Sequence, residues 1–199
     1  MVLRTLVLSA VLAVTTLVPA HGPVSAQDPE CWLARGTFEE AAQRPSPLGE
    51  TLITFGDAHA KACYGRPSAR GRPVAGNLIP YGQPWRMGAN EATVLHLPFP
   101  ALVGELELGA GSYSLYTVAA ETEWEIVVNG TPERWGIPIN DEVMAGDLGS
   151  FRRPVQATEG MVEQLTFTWE PQSDEQGTLV VEWENSRVEI PIVKRGTPQ

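Results

Sequence analysis

The sequence predicts an all-β chain, an antiparallel β-sandwich or flattened barrel with a long ordered Gly/Pro/Arg-rich excursion and a short N-terminal helix. Three observations carry this reading. Short alternating runs rich in Val, Ile, Thr and aromatic residues recur between turn residues. No βαβ rhythm and no nucleotide-binding glycine loop interrupts them. One stretch, residues 64–93, is too dense in glycine and proline for a helix and too rich in arginine and aromatics for a linker.

The first 26 residues read as an export signal: Arg4 forms a short basic region, residues 6–18 an apolar run, and Val24-Ser25-Ala26 a small-residue exit. Cleavage is expected after Ala26, with Ala20 as the alternative. The run is short for a membrane span, and Asp28-Pro29-Glu30 before Cys31 does not suit lipid attachment. The expectation is therefore an extracytoplasmic protein, periplasmic or secreted, with no membrane anchor after cleavage. Residues 27–45 then form an arm, 46–195 a single β domain and 196–199 a tail. A net charge of −10 argues against nucleic acid or anionic lipid as partner, because the long-range field repels both.

Cys31 and Cys63 are the only cysteines. In an oxidising compartment such a pair is expected to form a disulfide, worth about 3–4 kcal/mol on loop entropy; two free thiols are the rival. A metal site is not expected, because CxxC spacing is missing and the processed chain keeps only His59 and His96. No cofactor is implied.

Residues 31–44 group Trp32, Leu33, Phe38 and Ala41-Ala42 at helical spacing, weakened by Gly36 and ended by Pro45-Ser46-Pro47. Residues 51–55 and 58–64 read as a hairpin around Gly56-Asp57. Further strands are expected over 93–97, 104–108 and 112–118, and over 124–128, which runs into Asn129-Gly130, a strong two-residue hairpin signal. Residues 132–151 are less regular. Residues 164–170, 178–184 and 187–193 alternate clearly and read as a three-stranded meander, with a tight turn at Asn185-Ser186.

The excursion over 64–93 concentrates positive charge. Between Ala58 and Asn90 there is no acidic residue, whereas Lys61, Arg66, Arg70, Arg72 and Arg86 all fall there. Its segments Tyr64-Gly65-Arg66-Pro67, Leu78-Ile79-Pro80-Tyr81-Gly82 and Trp85-Arg86-x-Gly88-Ala89-Asn90-Glu91-Ala92-Thr93, with Gly111 to Leu115 and Trp183-Glu184, closely resemble the bacterial domain-of-unknown-function family 2911. The resemblance covers residues 46–193 and leaves the Cys31 arm outside. It implies an exported, mostly β domain and brings no activity with it.

Arginine presents a planar fork of donors that fits carboxylate, phosphate or paired hydroxyls and stacks on aromatic rings. Tyr64, Arg66, Arg72, Tyr81, Trp85, Arg86, Asn90 and Glu91 are therefore the candidate binding residues for a small anionic or polyhydroxylated, carbohydrate-like ligand. Glu91 is the candidate acid or base if the protein is instead a hydrolase or lyase, with Arg86 positioning the substrate. The competing explanation is structural: Arg66, Arg72 and Arg86 tie the excursion down by pairing with Glu91, Glu182, Glu184 or backbone carbonyls. Arg70 is expected to face solvent. His59 and His96 lack a nucleophile elbow, and Trp124, Trp169 and Trp183 fall on strand patterns expected in the core, with Trp135 the more exposed tryptophan.

Overall fold

The computed structural model describes residues 29–196. The expected export segment lies outside the described residues. Two antiparallel sheets pack as a sandwich, and no closed barrel forms. The larger, seven-stranded sheet contains β1 (Leu48–Phe55), β2 (Ala58–Gly65), β3 (Pro84–Trp85), β4 (Thr93–Leu97), β7 (Gly111–Ala119), β8 (Glu123–Asn129) and β9 (Asp147–Pro154). Its order is β1-β2-β4-β7-β8-β9, and β3 extends the β4 position by pairing with β7. The four-stranded sheet runs β10-β11-β5-β6, from β10 (Gln156–Pro171), β11 (Gln176–Lys194), β5 (Ala101–Val103) and β6 (Leu106–Leu108).

Period-two alternation builds the core directly. Ile53, Leu95, Leu115 and Ile126 point from the larger sheet onto Leu165, Leu179 and Ile190 of the smaller one, all essentially free of solvent. Trp85 stacks on Trp183 across the sheets and meets Trp124 edge-on, so all three belong to packing. Tyr64 stacks on Phe167 with ring centres 4.1 Å apart, and its hydroxyl accepts the Phe167 N–H.

Several elements differ from the sequence reading. The N-terminal helix is a single turn, α1 (Phe38–Ala42), closed by a Thr37–Glu40 capping box, because Gly36 holds φ +75 just before it. Residues 104–108 are not one strand: Gly104, at φ +60, turns the chain between β5 and β6. Asn129-Gly130 makes no hairpin, since the partner of β8 is β9, reached after a connection that contains the second helical turn, α2 (Asp141–Met144). The Asn129 side chain is buried: Oδ1 accepts the Thr131 N–H as in an Asx turn, while Nδ2 donates across the connection to Val143 O and Asp147 Oδ1. Asn185-Ser186 is no turn either. β11 continues through it, Glu184 taking φ +56, and the extra residues of the irregular pairing lie in β10, between Ala157 and Val162 and between Val162 and Thr166.

The excursion is ordered by anchoring to β10 and β11. The Ala69 N–H donates to Glu163 O, the Leu165 N–H to Pro67 O, and Glu184 accepts the Val74 and Ala75 N–H groups. Ala69, Val74 and Ile79 are buried beneath it. At its start, Gly65 lies against Ala89, where an added Cβ would stand 2.0 Å from the Ala89 oxygen.

Cys31 and Cys63 form the expected disulfide, with Cα atoms 5.7 Å apart, and it fastens the arm to the outward face of β2. Removing it by Cys31→Ser with Cys63→Ser is expected to cost about 2–4 kcal/mol. Urea unfolding of the double variant measures this; a loss near zero would mean that the arm is held without the bridge.

Candidate functional site

The outward face of the larger sheet is unusual because it is covered. Cys63, Val94, Ser114, Tyr116, Val127 and Asn129 point away from the sandwich core by register, yet all are buried. The arm lies over one part of this face, held by the disulfide. The connection from β8 to β9 lies over another: Glu91 bridges Trp135, the Ala92 N–H donates to Arg134 O and the Gly136 N–H to Asn90 O. Asn90-Glu91-Ala92, within the run WRMGANEAT, thus sits under two covering segments.

Glu91 holds those covers together. Both of its oxygens meet Arg44 Nη1, at 3.1 and 2.8 Å, and Oε1 also accepts the Ala34 N–H at 3.1 Å. The carboxylate is buried, so its charge is compensated by an arginine of the arm and not by Arg66, Arg72 or Arg86. Arg35 stacks over Trp135, which is half-buried as a result.

The eight candidate binding residues do not converge on one cavity. Tyr64 and Trp85 are core residues. Arg72 turns back on Ala69 O and Ser68 O, and Asn90, at φ +65, donates to Ser46 O. Arg66 lies along Gly49 with its Nε buried and without a partner. Tyr81 is exposed on the edge of a separate depression. Arg70 faces solvent as expected, its guanidinium on Pro45 O.

Arg86 meets the β8–β9 connection. It is half-buried, donates from Nε to Gly88 O at 3.2 Å, and forms no ion pair among the described residues. Its stem runs under Gly136, where an added Cβ would stand 2.3 Å from Arg86 Cδ. Burial lowers its pKa from the ordinary arginine value.

A second arginine reaches the same glycine. Arg134 donates from Nη1 to Trp135 O and to Gly136 O, while its Nε and Nη2 are buried without a partner. Those two nitrogens form the side edge of the guanidinium, the edge that binds a carboxylate or phosphate with two parallel hydrogen bonds. Burial lowers the Arg134 pKa, opposed by Tyr116 and Asp147, and it too forms no ion pair among the described residues. Tyr116 donates to Asp147 Oδ2 at 2.6 Å, and burial followed by that bond raises its pKa, so the phenol stays protonated. Asn129 completes the network by donating to Asp147 Oδ1.

A family model described as "Protein of unknown function (DUF2911)" matches residues 46–192. The chain belongs to this family. No curated protein and no solved structure matches the chain. Measured against the family span, Arg86, Glu91, Tyr116, Arg134 and Asp147 lie inside it, while Cys31, Arg35 and Arg44, the residues that fasten the arm, lie outside.

The sequence reading missed Arg134, Tyr116, Asp147 and Asn129. Residues 132–151 lacked a periodic pattern, and nothing local showed that their backbone would lie along Glu91. The one available signal was Asn129, a polar residue ending an apolar strand.

His96 is a further buried polar group on this face. Nδ1 lies 2.7 Å from Ser112 Oγ, and Nε2 is buried without a partner. Burial lowers its pKa, Lys61 adds to the effect, and Glu133 and Glu50 oppose it. The unfolded chain therefore binds more protons than the folded one below about pH 6.5. Stability is full above that pH and is lost as pH falls through the window beneath it. Urea midpoints at about pH 7 and about pH 5 are expected to fall together with pH in the wild type and to fall less in His96→Gln; equal slopes would show that another group carries the effect.

Arg44→Met leaves the Glu91 charge uncompensated and is expected to cost about 2–3 kcal/mol, while Glu91→Gln added to it restores part of the loss. A double-mutant cycle in urea measures the coupling. Simple additivity would show that the pair contributes nothing.

Proposed function

We propose that the protein is an exported binding module for a small anionic ligand, held by Arg86 and Arg134 on the covered face of the larger sheet. The observation that carries this reading is that two half-buried arginines meet Gly136, Arg86 with its Cδ and Arg134 with its Nη1, and neither forms an ion pair among the described residues. A chain of net charge −10 has carboxylates in excess, so leaving two half-buried arginines unpaired is costly unless something else supplies the negative charge. The buried, unpartnered edge of Arg134 has the donor geometry for a planar carboxylate or a phosphate oxygen pair, and a sugar acid would satisfy both the anionic and the polyhydroxylated expectation.

Binding is better supported than acid–base catalysis by Glu91. A buried carboxylate whose oxygens already accept from a guanidinium and a backbone N–H has no spare geometry for moving a proton to a substrate. The export signal and the disulfide together support an extracytoplasmic location.

Calorimetric titration with phosphate, citrate and glucuronate tests the reading. At least one of these is expected to bind, and Arg134→Gln and Arg86→Ala are each expected to weaken it by about tenfold or more, with melting temperatures close to the wild type. Failure of all three anions to bind, with a large loss of stability in Arg86→Ala, would return both arginines to a structural role.

A further inference from the structure

We infer that the protein carries a second site, a preformed groove beside Tyr81 that takes a small organic cation with an alkylammonium head. The groove has a volume of about 410 Å³ and is lined by none of the residues assigned to the anion. Its floor is apolar, formed by Val118, Ala119 and Ala120 where β7 ends. Tyr81, a residue 42% exposed, stands as one wall, and its hydroxyl has no hydrogen-bond partner among the described residues. Glu121, Glu123, Glu125 and Arg152 form the rim.

The shape does not need a ligand to form it. The Gly82 N–H donates to Ala119 O at 2.9 Å, which fixes the turn carrying Tyr81 against β7. The Ala120 N–H donates to Glu123 O at 2.8 Å and closes the β7–β8 hairpin that carries Glu121. Gly76, at φ +74, backs the ring: an added Cβ there would stand 3.2 Å from Tyr81 Cε2. An exposed aromatic face set in one position over an apolar floor is a poor device for solubility and a good one for stacking.

Charge decides the class of ligand. Arg152 sits 2.9 Å from Glu123 and 3.5 Å from Glu125, yet its side chain is 64% exposed, so it compensates them weakly. Glu121 forms no ion pair among the described residues, and the rim is negative on balance. An aromatic face attracts a cation through its quadrupole, the carboxylates supply the counter-charge, and the floor accepts an aliphatic body. A carboxylate or phosphate is repelled by the same rim. The chain's net charge of −10 adds a long-range field of the favourable sign.

The test compares choline with its uncharged carbon isostere, 3,3-dimethylbutanol, and with methyl glucoside, by saturation-transfer NMR and calorimetry at low salt on the full processed chain. Choline is expected to bind at millimolar concentration, the isostere about tenfold more weakly, and the affinity for choline to fall as salt rises. Tyr81→Ala is expected to weaken choline about three- to tenfold and Glu121→Gln about threefold, both side chains being exposed enough for the variants to fold. In both variants, binding of phosphate, citrate or glucuronate should be unchanged, which separates this groove from the Arg86–Arg134 site. Equal binding of the isostere, preference for the glucoside, indifference to Tyr81→Ala, or no binding of choline would each overturn the assignment.

Discussion

One buried carboxylate joins parts of the chain that are far apart in sequence. Glu91 takes Arg44 and the Ala34 N–H from the arm, while its own backbone pairs with Trp135 of the β8–β9 connection. Because a lone buried charge is expensive, its two partners are as fixed as the carboxylate itself. The cover over the outward sheet face follows from that: the arm cannot leave without stranding Glu91, and the connection cannot shift without breaking the backbone pairs beside it. Arg86 and Arg134 owe their burial to this cover, and their burial is what makes their unpaired state informative.

The excursion illustrates how arginine serves a long loop in an acidic protein. Arg72 and Arg70 each cap main-chain carbonyls, and Arg86 caps Gly88. The acidic partner in these anchors is frequently a carboxylate accepting backbone N–H groups, as Glu184 does for Val74 and Ala75, and not a carboxylate facing an arginine. Charge concentrated in the stretch serves main-chain satisfaction at Arg70 and Arg72, while Arg66 and Arg86 are half-buried without an ion pair among the described residues.

The sandwich was legible from the sequence because its signals are local. Alternation is strong in β1 and in the second half of β11, and the Gly56-Asp57 turn behaves as its composition predicts. The errors occurred where a local signal was used for something else. Asn129 looks like a turn residue and is a buried hub; Asn185-Ser186 looks like a turn and lies inside β11. The candidate site was half legible. Arg86 and Glu91 stand in a recognisable run, but their relation depends on residues 34, 44 and 134–136, brought to them by tertiary pairing that no periodicity announces. The arginine expected to meet Glu91 within the excursion proved to be Arg44, outside it.

The anchoring of the excursion to β10 has a consequence for self-association. β10 is the outermost strand of the smaller sheet, and such an edge offers unpaired N–H and C=O groups to any passing strand, including one from another copy. Pro67 and Ala69 occupy part of that edge by hydrogen bonding to Leu165 and Glu163, and Ser68 forms a bridge with Gln164. Pro67, next to this bridge, has no N–H of its own to extend a ladder outward. The arginine-rich loop is therefore also an edge guard, which limits strand-by-strand growth of the sheet into a fibril at high concentration.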